Sequence, residues 1–298
     1  MFGFRAPSTS CSAAASAQPA TAAASARATT TNGIRAMARI VRRPAGRHHP
    51  PTVVKHLADP RATTVQQMTA ALAALRASLA ERLAALREVD ITSLPAPLLD
   101  VAVRVSEPCG LHVVRPADWE ALREEEAFAG RPVPWWARLW PSGVALARAL
   151  DADRPAPGAR VLELGCGLAL PSLVAARAGA EVLATDGSTD AVVFAAHGFA
   201  LNELAGETAH ADWVQHGPQL TARGPFDLVL AADVFYAQAN VPVALRLLPD
   251  LLAPGGAVRL ADPGRAGARD FLAGARGRFR LRTERDGEVA LHTLTPLR

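Results

Sequence analysis

Val161-Leu162-Glu163-Leu164-Gly165-Cys166-Gly167 is the stretch on which the fold turns. Its first four residues form a short, mostly apolar run, the pattern of a strand buried on both faces. The glycines that follow have no Cβ, so the backbone can turn tightly there and let a ligand approach. A helix is expected to open near Leu168, with the free N–H groups of its first turn facing the same space. Strand, glycine turn and helix in that order begin a βαβ unit.

Outward from this point the alternation continues. Strands are expected at 159–164, 181–185, 209–214, 226–232 and 256–261, with helices at 168–179, 188–204, 239–252 and 266–276. Strict alternation implies a parallel sheet covered by helices on both faces. The C-terminal end differs. Phe279–Thr283 and Val289–Thr293 flank Asp286-Gly287, a turn signal that predicts a closing antiparallel pair. The expected class is therefore α/β, a Rossmann-like, mostly parallel sheet of seven strands.

Upstream lies an extension of another kind. Leu72, Leu75, Leu79, Leu83 and Leu86 recur at steps of three and four, which predicts an amphipathic helix over 64–88. Val101–Val105 and Leu111–Val114, around Pro108-Cys109-Gly110, read as a β-hairpin. An acidic run, Glu120 to Glu126, leads to Trp135, Trp136 and Trp140, and a helix from Val144 to Leu150 follows. The expected organisation is a tail (1–58), a helix-and-hairpin extension (59–134) and a main domain (135–298).

Charge separates the tail from the rest. The chain carries +4 overall, yet residues 1–58 hold eight basic residues and no acid, leaving 24 basic against 28 acidic residues from Asp59 onward, a net −4. An acidic body repels phosphate backbones, which argues against nucleic acid as the main partner. No apolar run is long enough to span a bilayer. The Ala/Ser/Thr/Arg-rich tail buries too little to offset its ordering entropy and is expected to be disordered. It reads either as an over-extended gene start, with Met37 and Met68 as later starts, or as an organelle transit peptide. The first places the protein in the cytoplasm and the second in mitochondria. Cys11, Cys109 and Cys166 give neither a disulfide framework nor a zinc pair, and His48-His49 sit in the tail, so no metal site is expected.

The candidate site residues follow from position. The third glycine of a dinucleotide fingerprint is replaced by Leu170, followed by Pro171, so close pyrophosphate approach is disfavoured. Asp186 falls at the tip of the next strand, where an acid can accept both hydroxyls of a ribose, with an N-terminal helix cap as the alternative. Asp212-Trp213 is expected to end the third strand, with Trp213 a flat surface for a purine. Trp135, Trp136 and Trp140 can be read simply as a packed cluster, and the Trp140–Gly143 segment that feeds the next helix is expected to close over the ligand. Asp233 and Tyr236, the only tyrosine, follow the fourth strand at the sheet edge where ligands bind.

Four segments carry a resemblance: Trp-Ala-Arg-Leu-Trp-Pro-Ser-Gly at 136–143, Leu-Glu-Leu-Gly-Cys-Gly at 162–167, Ala-Ala-Asp-Val-Phe-Tyr at 231–236 and Ala-Asp-Pro-Gly-Arg at 261–265. Together, over roughly residues 110–298, the chain resembles the seven-strand, class I protein lysine methyltransferases, in particular the electron-transfer-flavoprotein β-subunit lysine methyltransferase family with its bacterial relatives. The resemblance implies S-adenosylmethionine as cofactor, contacted by Trp140, Gly165, Gly167, Asp186, Trp213 and Ala232. Glu163, which methyltransferases carry just before the turn, is placed with them. It implies an Asp-x-x-Tyr site of Asp233 and Tyr236 acting on a lysine, with the electron-transfer flavoprotein β subunit or a similar carrier as protein substrate. Asp262–Arg265 is expected to form a rigid substrate-side loop, its arginine facing an acidic partner or the sheet edge. The family's Asn-rich helix is reduced here to Asn202, and Asp186-Gly187-Ser188 replaces the usual Asp-x-Asp or Asp-x-Asn. A small-molecule N-methyltransferase and a non-catalytic cofactor-binding partner protein remain the alternatives. Oligomeric state is not legible.

Overall fold

A computed structural model describes residues 65–107 and 109–297 of the 298-residue chain. The tail expected to be disordered, with its His48-His49 pair, lies outside the described residues.

The extension opens with helix α1 (Val65–Arg87). Its leucine stripe is buried as the spacing requires: Leu79 and Leu83 are fully buried and Leu75 nearly so. Leu86, expected on the same stripe, is instead 38% exposed in the last turn. Strands β1 (Val101–Ser106) and β2 (Leu111–Pro116) pair antiparallel, as predicted. The acidic run proves to be a helix, α2 (Trp119–Phe128), started by Asp118, whose carboxylate accepts from the Ala121 N–H at 3.1 Å. Helix α3 (Pro141–Ala152) then leads into the sheet, with Pro141 at its first position, where the missing N–H costs nothing.

The main sheet has seven strands. β3 (Arg160–Leu164) is followed by α4 (Leu170–Arg177), β4 (Glu181–Asp186) by α5 (Thr189–Leu201), and β5 (Glu207–His210) by α6 (Trp213–Arg223). Next come β6 (Phe226–Ala232), α7 (Asn240–Leu251), β7 (Leu252–Asp262) and α8 (Ala266–Ala275). The hairpin β8 (Phe279–Asp286) and β9 (Val289–Pro296) closes the chain. In space the order is β5-β4-β3-β6-β7-β9-β8. The first five are mutually parallel, whereas β9 runs antiparallel to both β7 and β8. The expected Rossmann-like α/β sheet with its closing antiparallel pair is thus present.

One expected element is misplaced. The third strand was predicted over 209–214, but β5 ends at His210 and Trp213 begins a helix. Asp212 is the reason: its carboxylate accepts from the N–H groups of Val214 (2.8 Å) and Gln215 (3.0 Å), capping α6. Gly217-Pro218 inside that helix hides it from a reading by pattern.

The extension and the sheet share one core. Leu79, Leu83, Leu111 and Leu122 of the extension belong to the same buried cluster as Leu173 and Phe194 of the main domain. Asn202 pins the hairpin to the end of α5. Its amide oxygen accepts from the His112 N–H (2.8 Å), and its amide nitrogen donates to His112 O (2.7 Å) and Gly198 O (2.8 Å). No helix among the described residues is long and apolar enough to cross a membrane.

Candidate active site

β3 is the strand from which the connections run to both sides, to β4 one way and β6 the other. Ligands of open α/β sheets bind at the carboxyl ends of the strands beside such a switch point. A cleft of about 860 Å³ lies there, and Trp140, Glu163, Gly165, Gly167, Asp186, Trp213, Ala232, Asp233 and Tyr236 all border it. Residues predicted from points spread over almost a hundred positions of sequence are brought to one site.

The floor is the glycine turn. Gly165 and Gly167 both have positive φ, +66° and +51°, a region that costs other residues about 1–2 kcal/mol. A Cβ on Gly167 would also stand 3.1 Å from the Trp136 carbonyl oxygen, and one on Gly165 would stand 3.0 Å from Val234 Cγ1. Asp186 secures the turn from the neighbouring strand: its carboxylate accepts from the N–H of Gly167 and, through its other oxygen, of Ser188, both at 2.8 Å. Each oxygen keeps a further lone pair for a ligand. Burial raises the Asp186 pKa, while these backbone donors act in the opposite sense. The helix cap that was the alternative for Asp186 belongs to Ser188, whose hydroxyl accepts from the Ala191 N–H.

Glu163 borders the cleft but is 1% exposed. One carboxyl oxygen accepts from both the N–H and the hydroxyl of Ser172, in the first turn of α4. Its placement is that of a brace between β3 and α4 rather than a surface turned to a ligand. Burial, the largest cause, lifts its pKa to about 8.

The three tryptophans of 135–140 do not form one cluster. Trp119, from α2, joins Trp135 and Trp140, with ring centroids 5.9–6.5 Å apart. The Arg138 guanidinium lies 4.9 Å from the Trp140 ring, within reach of a cation–π contact. Trp140 Nε1–H donates to Trp135 O at 2.8 Å. Trp136 leaves this trio and packs on Phe194 of α5 at 4.9 Å. Trp213 opens α6 rather than ending a strand, yet it still borders the cleft, half-buried.

At the other end, Asp233 follows β6 with φ +59°, an uncommon conformation for an aspartate outside a turn. It is 8% exposed, and its N–H donates to Ala261 O at 2.9 Å. Tyr236 closes a 3-10 turn over Val234–Tyr236 and is 60% exposed. Burial, then the charge of Asp186, raises the pKa of its phenol.

Two features escaped the sequence. Arg265 Nε–H donates to Asp233 Oδ1 at 2.5 Å, so the arginine of the Asp262–Arg265 loop faces inward to the site residue itself. In addition, Arg87 at the end of α1 donates from Nε to Asp190 Oδ1 (2.9 Å), and its Nη2 pairs with Asp190 and, at 3.5 Å, with Glu126. Glu126 in turn pairs with Arg131, and all four residues border the cleft. Arg87 and Asp190 are 103 positions apart, so no local pattern announces the contact.

Comparison with known proteins fits this geometry. Residues 136–270 match the family described as lysine methyltransferase. A Xenopus laevis protein named electron transfer flavoprotein beta subunit lysine methyltransferase is 35% identical over 136 residues, 45% of this chain and 54% of that protein. A human protein named histone-arginine methyltransferase METTL23 is 34% identical over 102 residues, 33% of this chain and 54% of that one. Mouse EEF1A lysine methyltransferase 3 is 31% identical over 142 residues, 46% and 60% of the respective chains. The chain thus spans little more than half the length of the curated relatives it matches. From Trp136 to Asp270, across the glycine turn, Asp186 and Asp233, this chain is similar to the lysine methyltransferase family.

Proposed function

We propose that this protein is an S-adenosylmethionine-dependent N-methyltransferase that methylates lysine side chains of a protein. One observation carries the reading: a single cleft joins a Cβ-free glycine turn and Asp186 to a second end formed by Asp233 and Tyr236.

The residues present fit the cofactor. Gly165 and Gly167 border the cleft in a turn that Val234 and Trp136 press too closely for a side chain, so backbone alone meets the ligand there. Asp186 retains lone pairs for ribose hydroxyls, and Trp213 offers a flat face to a purine. Trp140 and Ala232 complete the wall. When bound, the cofactor supplies an electrophilic methyl carbon on a sulfonium that leaves as a neutral thioether.

The chain's own part is to hold, orient and desolvate the acceptor. Methyl transfer requires a neutral amine whose lone pair lies in line with the methyl carbon. Asp233, fixed by its backbone and by Arg265, accepts an N–H of the incoming amine. The Tyr236 phenol oxygen, at the same end of the cleft, accepts from another side. The nitrogen gains the methyl, the C–S electron pair remains on sulfur, and the surplus proton leaves to solvent. No covalent enzyme intermediate is required.

The names of the relatives point to a protein acceptor, the electron transfer flavoprotein β subunit being the first to try. The test is transfer of labelled methyl from S-adenosylmethionine into a methylation-poor lysate, resolved on a denaturing gel. A discrete labelled band, weakened about 100-fold or more by Asp233→Ala, is the expected result. Label confined to small molecules would replace the protein substrate with a small amine. Wild-type turnover by Asp233→Ala would remove Asp233 from the mechanism.

A further inference from the structure

The geometry points to Arg265 as the residue that makes this site accept lysine and refuse arginine. The inference rests on Asp233 being the acceptor for the incoming nitrogen. The relatives leave the choice open, since their names include both lysine and arginine methyltransferases.

Recognition of a guanidinium by a carboxylate is at its best fork to fork, two parallel N–H···O bonds that use both oxygens of one edge. Asp233 cannot offer that edge freely, because Arg265 Nε–H already sits 2.5 Å from Oδ1. The arrangement is held from behind. Asp262 is wholly buried, and its Oδ1 accepts the N–H groups of Gly264 and Arg265, both at 2.6 Å, so the loop that delivers Arg265 is fixed. Asp233 is fixed by its own N–H to Ala261 O. The backbone is thus held on both sides of the point where the two side chains meet.

What remains for a ligand is the second oxygen of a carboxylate whose charge is already matched by a neighbouring cation. That suits a compact, single-point donor such as the lysine nitrogen. It also suits a group that can lose its proton, as lysine can and arginine, with a pKa above about 12, does not. A second guanidinium would meet the first across one carboxylate. The Arg265 side chain, 38% exposed, borders the cleft where that meeting would occur.

The test uses the full chain loaded with S-adenosylhomocysteine and titrated by NMR with n-butylamine or n-butylguanidine, mimics of the two side-chain ends. Wild type, Arg265→Met, Arg265→Gln, Arg265→Lys and Asp233→Asn are compared after calorimetry has shown that each binds S-adenosylhomocysteine. Wild type and Arg265→Lys are expected to prefer the amine. Arg265→Met and Arg265→Gln should shift the affinity ratio toward the guanidine by about tenfold or more, the worth of one charge-assisted hydrogen bond. An unchanged ratio in both, with both probes lost in Asp233→Asn, overturns the role of Arg265 and leaves Asp233 standing. Retention of both probes by Asp233→Asn, or binding of neither by wild type, removes the Asp233 reading and this inference with it.

Discussion

Glu163 shows how a residue of the fold-defining stretch can serve the site without facing it. Its carboxyl is sealed against Ser172 with a pKa raised from 4.5 to about 8. Below pH 4.5 folded and unfolded chains both hold the proton. As pH rises from 4.5 toward 8 the unfolded chain has lost it while the folded chain keeps it, so this group makes stability fall across that window. Glu163→Gln, which preserves an oxygen for Ser172, should flatten the decline; urea midpoints measured at intervals from pH 4.5 to 8 would show it, and an unaltered slope would refute it. Gly167 makes the complementary case. Gly167→Ala must place a Cβ at positive φ, 3.1 Å from Trp136 O, and should cost about 1–2 kcal/mol or more together with a weaker calorimetric titration by S-adenosylhomocysteine. Both glycines and Asp186 were legible in the sequence because strand, turn and tip follow one another locally. The Arg265–Asp233 pair was not, because it joins positions 32 apart in the loops that follow two different strands.

At the scale of elements, legibility followed periodicity. β3, β4 and β6 came within a residue or so of their expected bounds, since an apolar run ending at Gly, Asp or Ala leaves little choice. β5 and α6 went wrong where Asp212 caps a helix that Gly217-Pro218 conceals. α2 was seen only as charge, because its apolar contribution to the core comes chiefly from Leu122. The leucine stripe of α1 was legible and is testable. Leu79→Ala and Leu83→Ala, both at fully buried positions, should each lose about 2–5 kcal/mol in urea denaturation. Leu86→Ala, at a position 38% exposed, should stay within about 0.5 kcal/mol of wild type. Equal losses at all three would mean that α1 packs on a different face.

The whole molecule is less divisible than its family match suggests. The matched segment begins at Trp136, yet the buried cluster runs from Leu75 to Val289, and Arg87, Glu126 and Arg131 from outside that segment border the cleft. A fragment starting at residue 136 should therefore fail to fold or to bind S-adenosylhomocysteine, while one starting at residue 59 should do both. Calorimetric titration of the two fragments decides it; binding by the shorter one would show that the extension is dispensable.

All five tryptophans of the chain stand at or beside this one cleft: Trp135, Trp136, Trp140 and Trp213 border it, and Trp119 packs on two of them. Indole emission from this protein is accordingly a local signal. It reports the loosening of the cleft, while far-ultraviolet circular dichroism reports the sheet and helices. Two melting curves recorded by these probes on one sample would separate the opening of the site from the collapse of the fold, without a dye or an engineered label.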